Sequence, residues 1–162
     1  MALKIIEIHS SEDPKELNTE WIVVENIGDV LLNLRGCEIA KGHQHSKKNQ
    51  NVAKLDPGFA LNPKEKKRIV SGNPRSTVQG TAPGDEIENY FLFLKVPYIT
   101  KQETSIRILR GQALLAHAVW DPEQENGLGT KEEKKEAKES LPKDSRSSTA
   151  KIKKKGSIKK RK

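Results

Sequence analysis

The stretch EWIVVENIGDVLLNLRGCEI, residues 20–39, decides the fold of this chain. It opens with a run of β-branched and aromatic residues of strand length, and turn signals (IGD, RGC) follow at intervals too short for helices. Trp21 and Val23 share one face of the first strand, whereas Ile22 and Val24 share the other. Because both faces are apolar, we expect an inner strand of a sheet rather than an edge strand.

Further runs of strand length lie on both sides of this stretch. The predicted strands are residues 3–8, 20–26, 30–34, 36–40, 66–70, 90–96, 104–109 and 113–120. Glycine and proline turns separate them, as at Pro57-Gly58 and Gly72-Asn73-Pro74. Many short strands with frequent turns predict an all-β fold, an antiparallel sandwich or a barrel. The lack of strands alternating with long amphipathic helices argues against a nucleotide-binding α/β fold.

Three segments carry the pattern of a known family. In the first, an acidic residue and an aromatic strand precede Asn-x-Gly and Leu-x-Gly, at Glu20, Trp21, Asn26, Gly28, Leu34 and Gly36. The second, LDPGFALNPKEKKRIVSG, has a turn that feeds a strand, with matches at Leu61, Pro63, Glu65 and Ile69. The third, SIRILRGQALLAHAVWD, is similar to a closing hairpin. Over residues 3–121 the chain resembles the lamin tail domain, an immunoglobulin-like antiparallel β-sandwich.

The resemblance implies a role in binding or scaffolding, because the family has no common catalytic site. Its members are associated with chromatin, nucleic acids, envelopes or partner proteins, and fold alone does not choose among these. We therefore expect the sandwich to contact a protein partner or a second nucleic-acid site. Trp21 is expected to contribute a large apolar area to the sandwich core.

Charge divides the chain into parts. Residues 146–162, here called the basic tail, contain nine Lys/Arg and no Asp/Glu, whereas the whole protein has a net charge of +8, so residues 1–145 sum to −1. After Trp120 there are no aromatic residues and few aliphatic ones, too few to bury a core. We predict a sandwich domain at 1–122, a charged flexible linker at 123–145 and a disordered Lys-rich tail at 146–162.

The basic tail is the predicted nucleic-acid site. A flexible polycation neutralises successive phosphates and releases counterions, which gives binding that depends strongly on salt and little on sequence. No aromatic residue lies between the lysines, so base stacking does not contribute. The residues assigned to this role are Lys151, Lys153, Lys154, Lys155, Lys159, Lys160, Arg161 and Lys162.

A second, smaller basic feature lies in KGHQHSKKNQN, residues 41–51. This segment has no aliphatic or aromatic side chain and is predicted to be an exposed loop, with Lys41, Lys47 and Lys48 as an additional anchor for nucleic acid. The alternative to nucleic-acid binding is a protein-interaction scaffold whose tail serves targeting or solubility. Whether DNA or RNA is preferred stays open, because charge does not distinguish them.

Signals for catalysis or cofactor binding are weak. No Gly-x-Ser-x-Gly motif occurs, and GLGTK lacks the upstream glycine of a phosphate loop. His43 and His45 lack further ligands at metal-site spacing, and the acids of DPEQE and DEIE are read as exposed turn residues rather than a Ca²⁺ site. His117 is predicted to be a packed or hydrogen-bonded histidine. We expect no enzyme activity, metal or cofactor.

The expected location is the cytoplasm, with association with the nucleoid in a prokaryote or a nuclear location in a eukaryote. Cys37 is the single cysteine, so no disulfide forms within the chain. The first apolar run is short and is interrupted by an acidic residue, Glu7, which argues against a secretory signal. No apolar run approaches the roughly 18 residues of a membrane-spanning helix.

Overall fold

The computed structural model describes residues 2–43, 48–56 and 58–129 of the chain. Within these ranges the protein is built from ten strands, and a 3₁₀ turn at Leu17–Thr19 is the helical element. The strands are β1 Leu3–His9, β2 Trp21–Asn26, β3 Leu32–Asn33, β4 Glu38–His43, β5 Gln50–Lys54, β6 Ala60–Leu61, β7 Lys66–Val70, β8 Glu88–Phe91, β9 Thr104–Arg110 and β10 Ala113–Val119.

The strands form two four-stranded sheets and a short ribbon. The first sheet has the order β1-β2-β7-β8, the second has the order β10-β9-β4-β5, and β3 pairs with β6. All neighbours are antiparallel except β7 and β8, which are parallel. A parallel pair needs a long crossover, which residues 71–87 supply. The prediction of an all-β sandwich is confirmed, and β2 is an inner strand as expected.

One core lies between the two sheets. The first sheet contributes Ile5, Ile22, Val24 and Ile69, and the second contributes Ile39, Ile106, Ile108 and Ala116, all of them buried. Since these side chains alternate along their strands, each sheet presents one apolar face to the other.

A second apolar cluster covers the opposite face of the first sheet. Trp21, Val23 and Val70 are buried there, and the crossover packs Ala82 and Ile87 against them. The expectation that Trp21 belongs to the sandwich core is therefore corrected. Because side chains alternate along β2, Ile22 and Val24 face the core while Trp21 and Val23 face the crossover.

The Arg68 guanidinium fastens the crossover to this cluster. It lies 5.3 Å from the Trp21 ring and donates two hydrogen bonds to Asp85, of 3.0 and 2.6 Å. A third bond of 2.8 Å reaches Asn89. The hydrogen bond from Arg68 is the main cause that holds the pKa of Asp85 below its ordinary value.

Several predicted strands have different bounds in the structure. The predicted strand 90–96 ends at Phe91, since Phe93 has a left-handed φ of 57° that a strand does not accommodate. β5 and β6 had no counterpart in the prediction. Their short, polar or interrupted sequences carry little strand signal, and pairing with β4 and β3 stabilises them.

The folded unit extends to Gly129, past the predicted boundary at Pro122. Asn126 accepts a backbone hydrogen bond of 2.8 Å from Ile8, and Leu128 pairs with Trp120 in an isolated bridge. Residues 123–129, predicted to begin the flexible linker, thus return to the sandwich. The rest of the predicted linker and the whole basic tail lie outside the described residues.

Candidate functional site

Within the predicted basic loop, residues 41–43 and 50–51 belong to the paired strands β4 and β5. Lys41 lies in β4, half-buried and opposite Gln50 of β5, and its charge acts on the buried carboxylate of Glu20. Lys48 is exposed and precedes β5, whereas Lys47 lies outside the described residues. The expectation of one exposed loop is corrected for Lys41, because β4 pairs with β9 as far as His43 and orders this part of the chain.

Several other basic side chains of the domain lie beside carboxylates. Besides the Arg68–Asp85 pair, Lys67 is 3.8 Å from Glu88, and Lys64 is 3.8 Å from Asp29. Residues 1–129 contain 16 basic and 17 acidic residues. The sandwich therefore has no excess of positive charge for attracting a phosphate backbone.

A serine–histidine pair lies on β9 and β10. Ser105 Oγ and His117 Nε2 are 2.6 Å apart, and Ser105 is fully buried. His117 is hydrogen-bonded, as predicted. A nucleophilic serine has to reach a substrate carbonyl, which a fully buried hydroxyl does not do, so this pair serves as a link between two strands.

A groove with a volume of about 600 Å³ lies at one end of the sandwich. We call it the end groove. Its walls come from the end of β1 and the segment after it, from the loop before β9, and from the turn after β10. The lining residues are Ile8, His9, Ser10, Ser11, Glu12, Pro14, Pro97, Thr100, Trp120, Pro122, Gln124, Glu125 and Gly127.

The turn after β10, residues 120–129, forms one wall. Asp121 donates a backbone hydrogen bond of 2.8 Å to Gly127, and Gly129 donates one of 2.7 Å to Val119. Gly127 has a φ of 77°, and a Cβ at this position would collide with the carbonyl oxygen of Ile8. Only glycine allows the turn to approach β1 this closely, so this residue sets the position of the wall.

The loop that carries Pro97 and Thr100 forms another wall, and the buried carboxylate of Glu20 anchors this loop. Glu20 accepts hydrogen bonds from the backbone N–H groups of Tyr98, at 3.2 Å, and Ile99, at 3.0 Å. Ser71 Oγ donates a third bond of 2.5 Å. Burial raises the pKa of Glu20, although these three bonds act in the opposite direction.

The wall formed by the end of β1 and the segment after it is tied to the same loop by Ser10, whose Oγ donates a hydrogen bond of 2.6 Å to the Ile99 carbonyl oxygen. His9 is fixed in turn, because its ring stacks on Trp21 with centroids 4.1 Å apart and its Nδ1 lies 2.7 Å from the Thr19 carbonyl oxygen. The groove is therefore largely preformed by hydrogen-bonded backbone and needs little rearrangement for binding.

The end groove is acidic. Glu12 and Glu125 line it and are exposed, and neither makes a hydrogen bond or ion pair within the described residues. No lysine or arginine is among the lining residues that the structure describes. A shallower depression of about 490 Å³ adjoins it, shares Gln124 and Glu125, and adds Glu7 and Asn126.

Sequence reasoning missed the end groove. The acidic residues of DPEQE were interpreted only as exposed residues of a turn. The groove is formed by segments that are far apart in the sequence, so no local pattern indicates it. In the part of the chain that the structure describes, no three His, Cys, Asp or Glu side chains come close enough together to hold a metal ion. The carboxylates, Trp120 and the hydrogen-bonding side chains of the groove suit it to binding through charge, aromatic contact and hydrogen bonds.

Comparisons with known proteins did not identify a family. Neither a scan against models of protein families nor a search of curated proteins returned a match to this chain. Among the described residues, no helix has the length and apolar character required to cross a membrane.

Proposed function

We propose that this protein is a non-enzymatic binding module, a lamin-tail-like sandwich with a basic tail that attaches it to nucleic acid without sequence preference. The observation that carries the proposal is the separation of charge along the chain. The net charge of the sandwich, residues 1–129, is −1, and residues 130–145 contain five basic and five acidic residues. Residues 146–162 contain nine basic residues and no acidic residue.

Phosphate attraction would therefore come from the tail. Each lysine or arginine that neutralises a phosphate releases a counterion, so affinity falls with salt by a log–log slope of about −0.9 per contact on duplex DNA. Lysine acts as a point charge and does not read base edges in the bidentate manner of arginine, which favours binding independent of sequence.

The test is fluorescence anisotropy with labelled duplex DNA and a structured RNA, measured across a salt series. The full chain is compared with a chain that ends at Gly129, where the compact unit ends. We expect the full chain to bind with a steep salt slope and the shorter chain to bind much more weakly. Equal binding by the two chains would assign the contact to the sandwich and contradict the proposal.

A matched pair of triple variants controls for net charge. Lys153, Lys154 and Lys155 are changed to glutamine in one, and Lys131, Lys134 and Lys135 in the other. The first variant is expected to lower the salt slope by roughly 2 to 3, because three phosphate contacts are lost. The second is expected to change the salt slope little, since Glu132, Glu133 and Glu136 lie among those lysines.

The alternative is a protein-interaction scaffold whose tail serves targeting or solubility. The end groove favours a partner for the sandwich, because it is a preformed concavity whose carboxylates form no ion pair with the described residues. This alternative predicts that removing the tail leaves partner binding intact. The cytoplasmic, nucleoid or nuclear location stays a prediction.

A further inference from the structure

The end groove differs in chemistry from a phosphate-binding surface. Its three carboxylates, Glu7, Glu12 and Glu125, lie on the groove or on the adjoining depression, and the described lining has no lysine or arginine. Carboxylates repel phosphate and attract cations. Whatever binds here therefore differs from the proposed ligand of the basic tail.

The groove also presents an aromatic surface. Trp120 lines the groove, is half-buried and packs against the sandwich core, and its backbone pairs with Leu128. Tryptophan is the aromatic residue that attracts ammonium and guanidinium groups most strongly across its face. Three prolines, Pro14, Pro97 and Pro122, add rigid apolar walls on which the methylene stem of a lysine or arginine packs.

The dimensions suit a chain segment rather than a single ion. The groove and its neighbour, about 600 and 490 Å³, share Gln124 and Glu125 and so adjoin each other. Each volume is in the usual range for a ligand site. Thr100 and Gln124 provide side-chain groups that hydrogen-bond a peptide backbone.

We propose that the end groove binds an extended basic peptide segment of a partner protein, with one lysine or arginine side chain on the Trp120 ring and further cationic side chains near Glu12, Glu125 and Glu7. This site is independent of the nucleic-acid role of the tail. Charge complementarity selects the peptide, and the apolar walls add contact area.

The binding test uses the full chain and two fluorescein-labelled synthetic peptides, one with alternating lysine and glycine and one with glutamine in place of every lysine. The lysine peptide is expected to bind and the glutamine peptide to bind far more weakly. Failure of the wild-type protein to bind the lysine peptide, or equal binding of both peptides, would overturn the proposal.

Two charge variants locate the site. In the double variant Glu12→Gln/Glu125→Gln we expect affinity for the lysine peptide to fall about fivefold, the effect of losing two partly exposed charge pairs. The control Glu86→Gln/Glu88→Gln removes the same charge outside the groove and should stay within about twofold of wild type. Equal losses in both variants would mean that only net charge acts, and the groove would be rejected.

Trp120 gives a second, independent readout. The two tryptophan indole N–H signals are followed by NMR during titration with the lysine peptide. The Trp120 signal should move more than the Trp21 signal, because Trp120 lines the groove, whereas Trp21 is buried under the crossover and touches the groove only through the His9 ring. Trp120→Phe keeps an aromatic ring in the core contact and should weaken peptide binding about threefold. Movement of the Trp21 signal alone would contradict the assignment.

Nucleic-acid binding by the same variants separates the two proposals. Glu12→Gln/Glu125→Gln should bind duplex DNA as the wild type does, since the tail is unchanged. Loss of peptide binding with DNA binding retained supports the groove, whereas a chain that binds the peptide but no nucleic acid would leave the groove intact and refute the role of the tail.

Discussion

At the scale of single residues, Glu20 connects the start of β2 to the loop before β9. Its carboxylate is fully buried and holds Tyr98 and Ile99, two residues of a loop nearly eighty positions away in the sequence. The sequence indicated Glu20 as part of a family pattern but carried no sign of its burial. The reason is that its partners are Ser71, which directly follows β7, and two residues of the loop before β9, which only the folded chain brings together.

Replacing Glu20 with glutamine is expected to destabilise the protein by about 1–3 kcal/mol. Both carboxylate oxygens accept N–H or O–H donors, so the amide nitrogen of glutamine would face a donor and leave it unsatisfied. Urea unfolding measures the effect, and Glu86→Gln, at an exposed site, is the control. A Glu20→Gln protein as stable as the control would show that these bonds contribute little.

Glu20 also gives the stability a definite dependence on pH. Burial raises the pKa of Glu20 in the native state above 4.5, its ordinary value in the unfolded chain. At pH values between the unfolded-state pKa and the native-state pKa, the native state therefore binds more protons than the unfolded chain. Stability from this group is therefore greatest at low pH and falls as pH rises above 4.5. The difference in unfolding free energy between wild type and Glu20→Gln should shrink over that range, and a difference that grows with pH would contradict the assignment.

At the scale of elements, the crossover 71–87 decides the parallel pairing of β7 with β8. In this segment the sequence showed only glycine and proline turns. These turn residues occur both in packed crossovers and in loose loops, so they do not distinguish the two. What distinguishes them is the contact of Ala82 and Ile87 with the Trp21 cluster and the clamp of Arg68 on Asp85.

Removing this clamp should loosen the crossover first. In Asp85→Asn the carboxylate that accepts two bonds from Arg68 is lost, and we expect amide hydrogen exchange in residues 72–87 to become faster by roughly an order of magnitude. The strands of the second sheet should change little. Glu86→Gln, at the neighbouring position, is the matched control, and uniform acceleration across the domain would point to global destabilisation instead.

At the scale of the whole molecule, the folded unit and the charge boundary fall at different places. Sequence composition suggested an end at Pro122, where aromatic residues cease, but residues 126–129 pack against β1 and β10. A few backbone hydrogen bonds and one leucine do not alter composition, so a polar segment that returns to the sandwich is indistinguishable from a linker in the sequence.

Two truncated chains test this boundary. A chain ending at Gly129 should unfold at the same urea concentration as the full chain, whereas one ending at Pro122 should lose about 2–4 kcal/mol from the missing backbone bonds and the burial of Leu128. Circular dichroism in urea measures both. If the chain that ends at Pro122 is equally stable, the wall of the end groove is dispensable for folding.

The sequence by itself determined the all-β class, the inner position of β2 and the separation of charge between sandwich and tail. These depend on local alternation, turn residues and composition, which short stretches of sequence carry. Only the tertiary structure decided the parallel crossover, the burial of Glu20, the place of Lys41 in a strand and the end groove. Each of these depends on residues distant in sequence, and their contact follows from strand order and register, which no local pattern specifies.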